Sequence, residues 1–80
     1  MRLMMFLFAL LLAAPAGAGE TCNAYRELRF DDALLAAEKL LASSAPVSEK
    51  VEGAKCQACT YVSLRRLYEA KASIARMLEL

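Results

Sequence analysis

The chain has 80 residues, three cysteines, no histidine and no tryptophan. It is 59% hydrophobic with a mean hydropathy of +0.35, but fifteen of residues 1–18 are apolar against 32 of the other 62. Without Arg2 those 62 residues carry nine Lys/Arg and nine Asp/Glu, a neutral balance that excludes a strongly basic nucleic-acid binder and an acidic solvating tail.

Residues 1–18 read as a secretory signal peptide. Arg2 and the N-terminal amine make a positive start, and Leu3–Ala14 is an unbroken apolar run of twelve. Pro15 interrupts that run, and Ala16 and Ala18 stand at −3 and −1 of a cleavage site before Gly19. At helical rise twelve residues reach only ~18 Å, short of a ~30 Å hydrocarbon core. Cys22 follows Gly19-Glu20-Thr21, and charged Glu20 does not suit a lipoprotein processing site. The expectation is export to the periplasm or the medium, an oxidising compartment for the three cysteines. The membrane then enters only through the signal peptide.

Residues 19–80 are expected to form one small all-helical domain of three to four helices, since so short a chain does not supply two cores. Strand alternation is absent, and Ala, Leu, Glu, Lys and Arg dominate. Ala24, Tyr25 and Leu28 mark a short first helix that Thr21 or Asn23 is expected to cap. Phe30, Ala33, Leu34, Ala37, Leu40 and Leu41 then recur on one face of a second helix, with Asp31 and Asp32 in its first turn. Ser43–Ser48 is a proline-containing turn. Ser48 is the expected cap of a third stretch, where Val51, Ala54, Ala58 and Tyr61 or Val62 keep helical spacing. The stripe changes phase near Arg65-Arg66 and resumes with Leu67, Ala70, Ile74, Met77 and Leu78. Either one bent helix or two helices fit Thr60–Leu80.

On these residues the chain resembles a tetratricopeptide-type helical repeat. Phe30, Asp31, Asp32 and Ala33, running on to Pro46, are similar to the second helix of such a unit. Ala58 and Tyr61 resemble the small and aromatic positions of a first helix, and Ala70 and Ile74 the small and bulky positions of the helix after it. Ala33 and Ala70 are 37 residues apart, near the period of that family. The pattern departs at the turns, where Leu28-Arg29 and Arg65-Arg66 replace the expected glycine, and at Met77. The resemblance implies alanines that let helices approach, larger side chains that fill the gaps, and a surface that takes an extended peptide or a partner helix. It also implies too few repeats for comfortable stability, so a cross-link, a homo-oligomer or a bound partner is expected.

Cys22, Cys56 and Cys59 are the residues with distinctive chemistry. A c-type haem site requires histidine after the second cysteine, and Thr60 stands there. A zinc site would need all three thiolates and a carboxylate such as Glu52. A redox pair at Cys56 and Cys59 would want the first cysteine at a helix N-terminus beside strands. A structural disulfide from Cys22 to Cys56 or Cys59 would close a loop of ~35 residues, worth ~3–4 kcal/mol in the chain-entropy model; a Cys56–Cys59 bridge would gain less. One thiol is left over in each case. No catalytic set is placed for acid–base or nucleophilic work, no nucleic-acid surface is evident, and no cofactor is expected. The sequence therefore points to a non-enzymatic exported module that binds a protein or peptide. A secreted disulfide-stabilised effector and a thiol-redox or metal carrier are the alternatives.

Overall fold

Four helices make up the described part of the chain, residues 17–80 of the computed structural model. They are α1 (Ala18–Arg26), α2 (Phe30–Ala42), α3 (Val47–Ser63) and α4 (Leu67–Glu79), with no strand among the described residues. The protein is all-α. The expected signal peptide lies outside the described residues except for its last two positions.

The chain breaks where its sequence allows it to. α1 ends as Glu27 N–H bonds Asn23 O, Leu28 N–H bonds Tyr25 O and Arg29 N–H bonds Ala24 O. α3 ends in the same way, Leu64 to Thr60, Arg65 to Val62 and Arg66 to Tyr61. Both ends are Schellman closures, which satisfy the last helical carbonyls by turning one residue left-handed. Those residues are Leu28 (φ 61°) and Arg65 (φ 60°). Thr60–Leu80 is therefore two helices, and each hairpin turn places a leucine or an arginine where glycine is usual. Leu28, expected to continue the first helical stripe, lies in the turn and is exposed. Between the hairpins, Ser43 donates its Oγ–H to Leu40 O (2.6 Å) and accepts from Ala45 N–H (3.1 Å). Pro46 follows with φ −56° and is the residue that opens α3. Ser48 lies inside the first turn, so it is not the cap. Thr21 lies within α1, whose N-cap is Gly17.

α3 is the central helix, packed on α1, α2 and α4; α1 also packs on α2, whereas the α4 backbone approaches α3 and reaches α2 through side chains. Alanine carries this packing. Of the ten buried hydrophobic residues among those described, eight are alanines: Ala18, Ala24, Ala33, Ala36, Ala37, Ala54, Ala58 and Ala70. Such short side chains bring helix axes close but bury little apolar area each, so the core is thin for its length. Leu40 is the one large aliphatic side chain among them. It occupies the position that a Cβ on Gly53 of α3 would take, so that glycine makes room for the core leucine.

Candidate functional site

The cysteines settle into one bond and one thiol. Cys22 of α1 pairs with Cys56 of α3, with Cα atoms 5.3 Å apart and 34 residues between them in sequence, while Cys59 is exposed and free. The bond joins helices of the two hairpins and is walled by Ala18, Leu40 and Ala45. Cys56 and Cys59 are three residues apart on one helix, and Cys56 is taken by Cys22. Among the described residues no group of three histidine, cysteine or acidic side chains could hold a metal ion.

Polar residues that periodicity did not single out lie in the interior. Thr21, Gln57 and Thr60 are among the largest fully buried side chains. Thr60 donates its hydroxyl to Cys56 O at 2.7 Å, back along its own helix, a common way to bury a threonine in a helix. Gln57 donates its Nε2 to Glu38 Oε1 at 2.9 Å, and Arg76 reaches the same oxygen at 3.0 Å. This chain of three side chains ties α2, α3 and α4 together. The Gln57 Oε1 atom and the Thr21 Oγ1 atom are buried without a partner. Only sequence-distant contacts, 19 and 38 residues apart, give Glu38 these neighbours, so no local pattern could reveal them. Arg76 also lines an open cleft of about 230 Å³ with Leu41, Glu79 and Leu80, where the ends of α2 and α4 meet.

The residues of the expected repeat packing divide into two groups. Ala33, Ala58 and Ala70 are buried, and Phe30 and Tyr61 are half-buried. Phe30 lies 6.3 Å from the Tyr25 ring, across the first turn. Tyr61 lies beneath the Arg66 guanidinium, 5.1 Å from its ring centre, across the second, a weak cation–π contact at an exposed site. Ile74, by contrast, is 44% exposed. It belongs to an apolar stripe on α4 with Leu67 and Leu78, spaced seven and four residues apart, which places all three on one face of the helix. Leu67 is 60% and Leu78 78% exposed, with Tyr68 beside them at 86%.

Exposed ion pairs lie at both hairpin turns. Arg29 bonds Glu27 Oε1 (2.6 Å) and Asp32 Oδ2 (3.0 Å), and Arg66 bonds Glu69 Oε1 (3.2 Å). The bonds to Glu27 and then Asp32 raise the Arg29 pKa. Glu69 is held below the usual carboxylate range, first by its own backbone N–H and then by Arg66. Each pair fixes the start of α2 or α4 after its left-handed turn.

Of the expected cleavage residues, Ala18 is buried and Gly19 is exposed, the first and second residues of α1. No described helix is long and apolar enough to cross a membrane. Comparison of the chain with protein-family models, with curated proteins and with solved structures finds no match to any of them.

Proposed function

We propose that this protein is an exported helical interaction module, TPR-like in plan, that receives a partner protein's helix on the outer face of α4. One observation carries the reading. A 37-residue offset superposes the two left-handed turns, Leu28 on Arg65, and so sets Phe30, Ala37 and Leu41 of α2 against Leu67, Ile74 and Leu78 of α4. In α2 this face is covered: Ala37 is fully buried and Phe30 and Leu41 are half-buried, with α3 packed alongside. In α4 the same face is apolar and exposed. A helix that stands to α4 as α3 stands to α2 would complete the array.

The two ends of the array differ in chemistry. The outward residues of α1 are Gly19, Glu20, Asn23 and Arg26, all exposed. A polar face of that kind closes a helical stack. It also makes α1 of a second copy a poor cover for Leu67, Ile74 and Leu78, which disfavours head-to-tail self-assembly. The partner helix that fits is amphipathic and carries small residues on its apolar face, as α3 offers Gly53 to Leu40 of α2. Among the described residues nine large hydrophobics are exposed against one leucine buried, a ratio that suits a protein completed by another chain.

The test is a photo-crosslinking amino acid placed at Leu78, with Asn23 as the control position, in the exported protein of its own cell. A discrete protein adduct from position 78 that is lost with Ile74→Glu supports the reading. Equal labelling from both positions, or none from 78, opposes it. The thiol-redox alternative, through Cys56 and Cys59, would instead require Cys59 to displace Cys22 from the Cys22–Cys56 bond under mild reductant, read by alkylation and intact mass.

A further inference from the structure

The exposed apolar stripe of α4 has a cation in its middle. Lys71 follows Leu67 by four residues and precedes Ile74 by three and Leu78 by seven, the spacing that puts all four on one side of the helix. Lys71 is exposed, as they are. Three other cations have acidic partners within a helical turn: Arg29 meets Asp32, Lys55 meets Glu52 and Arg66 meets Glu69. Lys71 has no such neighbour. The residues three and four positions from it are Leu67, Tyr68, Ile74 and Ala75, and it forms no ion pair among the described residues. The 37-residue offset between the two hairpins sets Lys71 on Leu34 of α2, which is half-buried on the helix that α3 packs against. A helix laid on α4 in the same way takes water from Lys71, and an ammonium stripped of water costs free energy unless a carboxylate replaces that water.

We propose that the helix docking on α4 carries an aspartate or glutamate within its apolar face, placed to pair with Lys71 between Leu67 and Ile74. The inference rests on the docking reading above and adds the partner's chemistry. Apolar residues of that helix cover Leu67, Ile74 and Leu78. Its carboxylate takes the ammonium, whose flexible stem lets the charge reach the edge of the contact. Such a pair selects as well as holds. A purely apolar helix leaves the ammonium without a partner, and a second copy of α4 brings another lysine to the same contact, where like charges repel. Apolar area thus supplies affinity, and Lys71 supplies the choice of partner and its register.

The test uses the exported protein with the photo-crosslinking amino acid at Leu78, in three forms: Lys71, Lys71→Arg and Lys71→Glu. Lys71 is exposed and without an ion pair, so circular dichroism and Tm should agree among the three. Lys71→Arg should keep the adduct, and Lys71→Glu should lower its yield about tenfold or more. In the complex so identified, carbodiimide should couple the Lys71 amine to a carboxylate of the partner helix, read as a linked peptide by mass spectrometry. An adduct undiminished in Lys71→Glu, or a partner with no carboxylate that couples to Lys71, overturns the acidic partner and leaves the docking surface standing. No protein adduct from position 78 with Lys71 in place, or labelling of lipid alone, overturns both.

Discussion

Leu28 and Arg65, in turns 37 residues apart, adopt the same left-handed backbone at φ 61° and 60°, each donating its N–H three residues back while the next residue donates five residues back. A side chain in that conformation brings its Cβ too close to the backbone, at a cost of ~1–2 kcal/mol. Leu28→Gly and Arg65→Gly should each stabilise the protein by about 0.5–1 kcal/mol, the relief being partly offset by the greater freedom of glycine when unfolded. The two gains should add, since each turn closes through hydrogen bonds within its own hairpin. Thermal melts of the two single variants and the double variant check this, and a lower Tm in either single variant would contradict it.

The Cys22–Cys56 bond constrains a long stretch of chain around a thin alanine core. Cys22→Ser should lower stability by about 2–4 kcal/mol, which for a domain this small lowers Tm by more than ~10 °C. Cys59→Ser should leave Tm within a degree or two, since that thiol is exposed and unbonded. An unchanged Tm for Cys22→Ser would show that the bond adds nothing to the packing of α1 on α3.

Gly53 lies in mid-helix, where alanine would ordinarily stabilise by ~1 kcal/mol. Here the added methyl meets Leu40, which is 1% exposed and has no open space to move into. Overpacking of this kind costs roughly 1–3 kcal/mol. Gly53→Ala should therefore destabilise, and pairing it with Leu40→Ala should yield less than the summed loss, because each change makes room for the other. Additive losses in a denaturant double-mutant cycle would show that the two residues do not compete for one volume.

Glu38 accepts from both Gln57 and Arg76 through a single oxygen. The Arg76 contact is exposed and worth little on its own, ~0–1 kcal/mol. The Gln57 contact matters more, because losing it strands a second polar atom of a side chain whose Oε1 already lacks a partner. Glu38→Ala should cost about 1–3 kcal/mol, and Gln57→Leu much less, since it removes the stranded group together with its partner. Urea unfolding ranks the two, and a larger loss for Gln57→Leu would contradict the assignment.

The all-helical class and the position of the inter-hairpin turn follow from local features. Ala/Leu periodicity marks α2, Pro46 fixes the start of α3, and the phase change at Arg65-Arg66 marks a break that has no glycine to announce it. Periodicity proved a weaker guide to which side of α4 is covered. Leu67, Ile74 and Leu78 share one apolar stripe, and a stripe records only that a face avoids water. The stripe does not record which helix covers that face. The sequence leaves three disulfide pairings open, of which Cys22 to Cys56 or to Cys59 closes the longer loop. The choice of Cys56 over Cys59 depends on which face of α3 meets α1, and the half-buried Glu38–Gln57 contact depends on the crossing of α2 and α3.

The central claim is that α4 presents a face built to be covered by another protein's helix. The most direct measurement is photo-crosslinking from position 78 in the exported protein, read by mass spectrometry of the adducts beside the same probe at position 23. The account predicts a defined adduct from 78 only, abolished by Ile74→Glu while the helical content by circular dichroism is unchanged. No adduct from 78, or one that persists in Ile74→Glu, would contradict it.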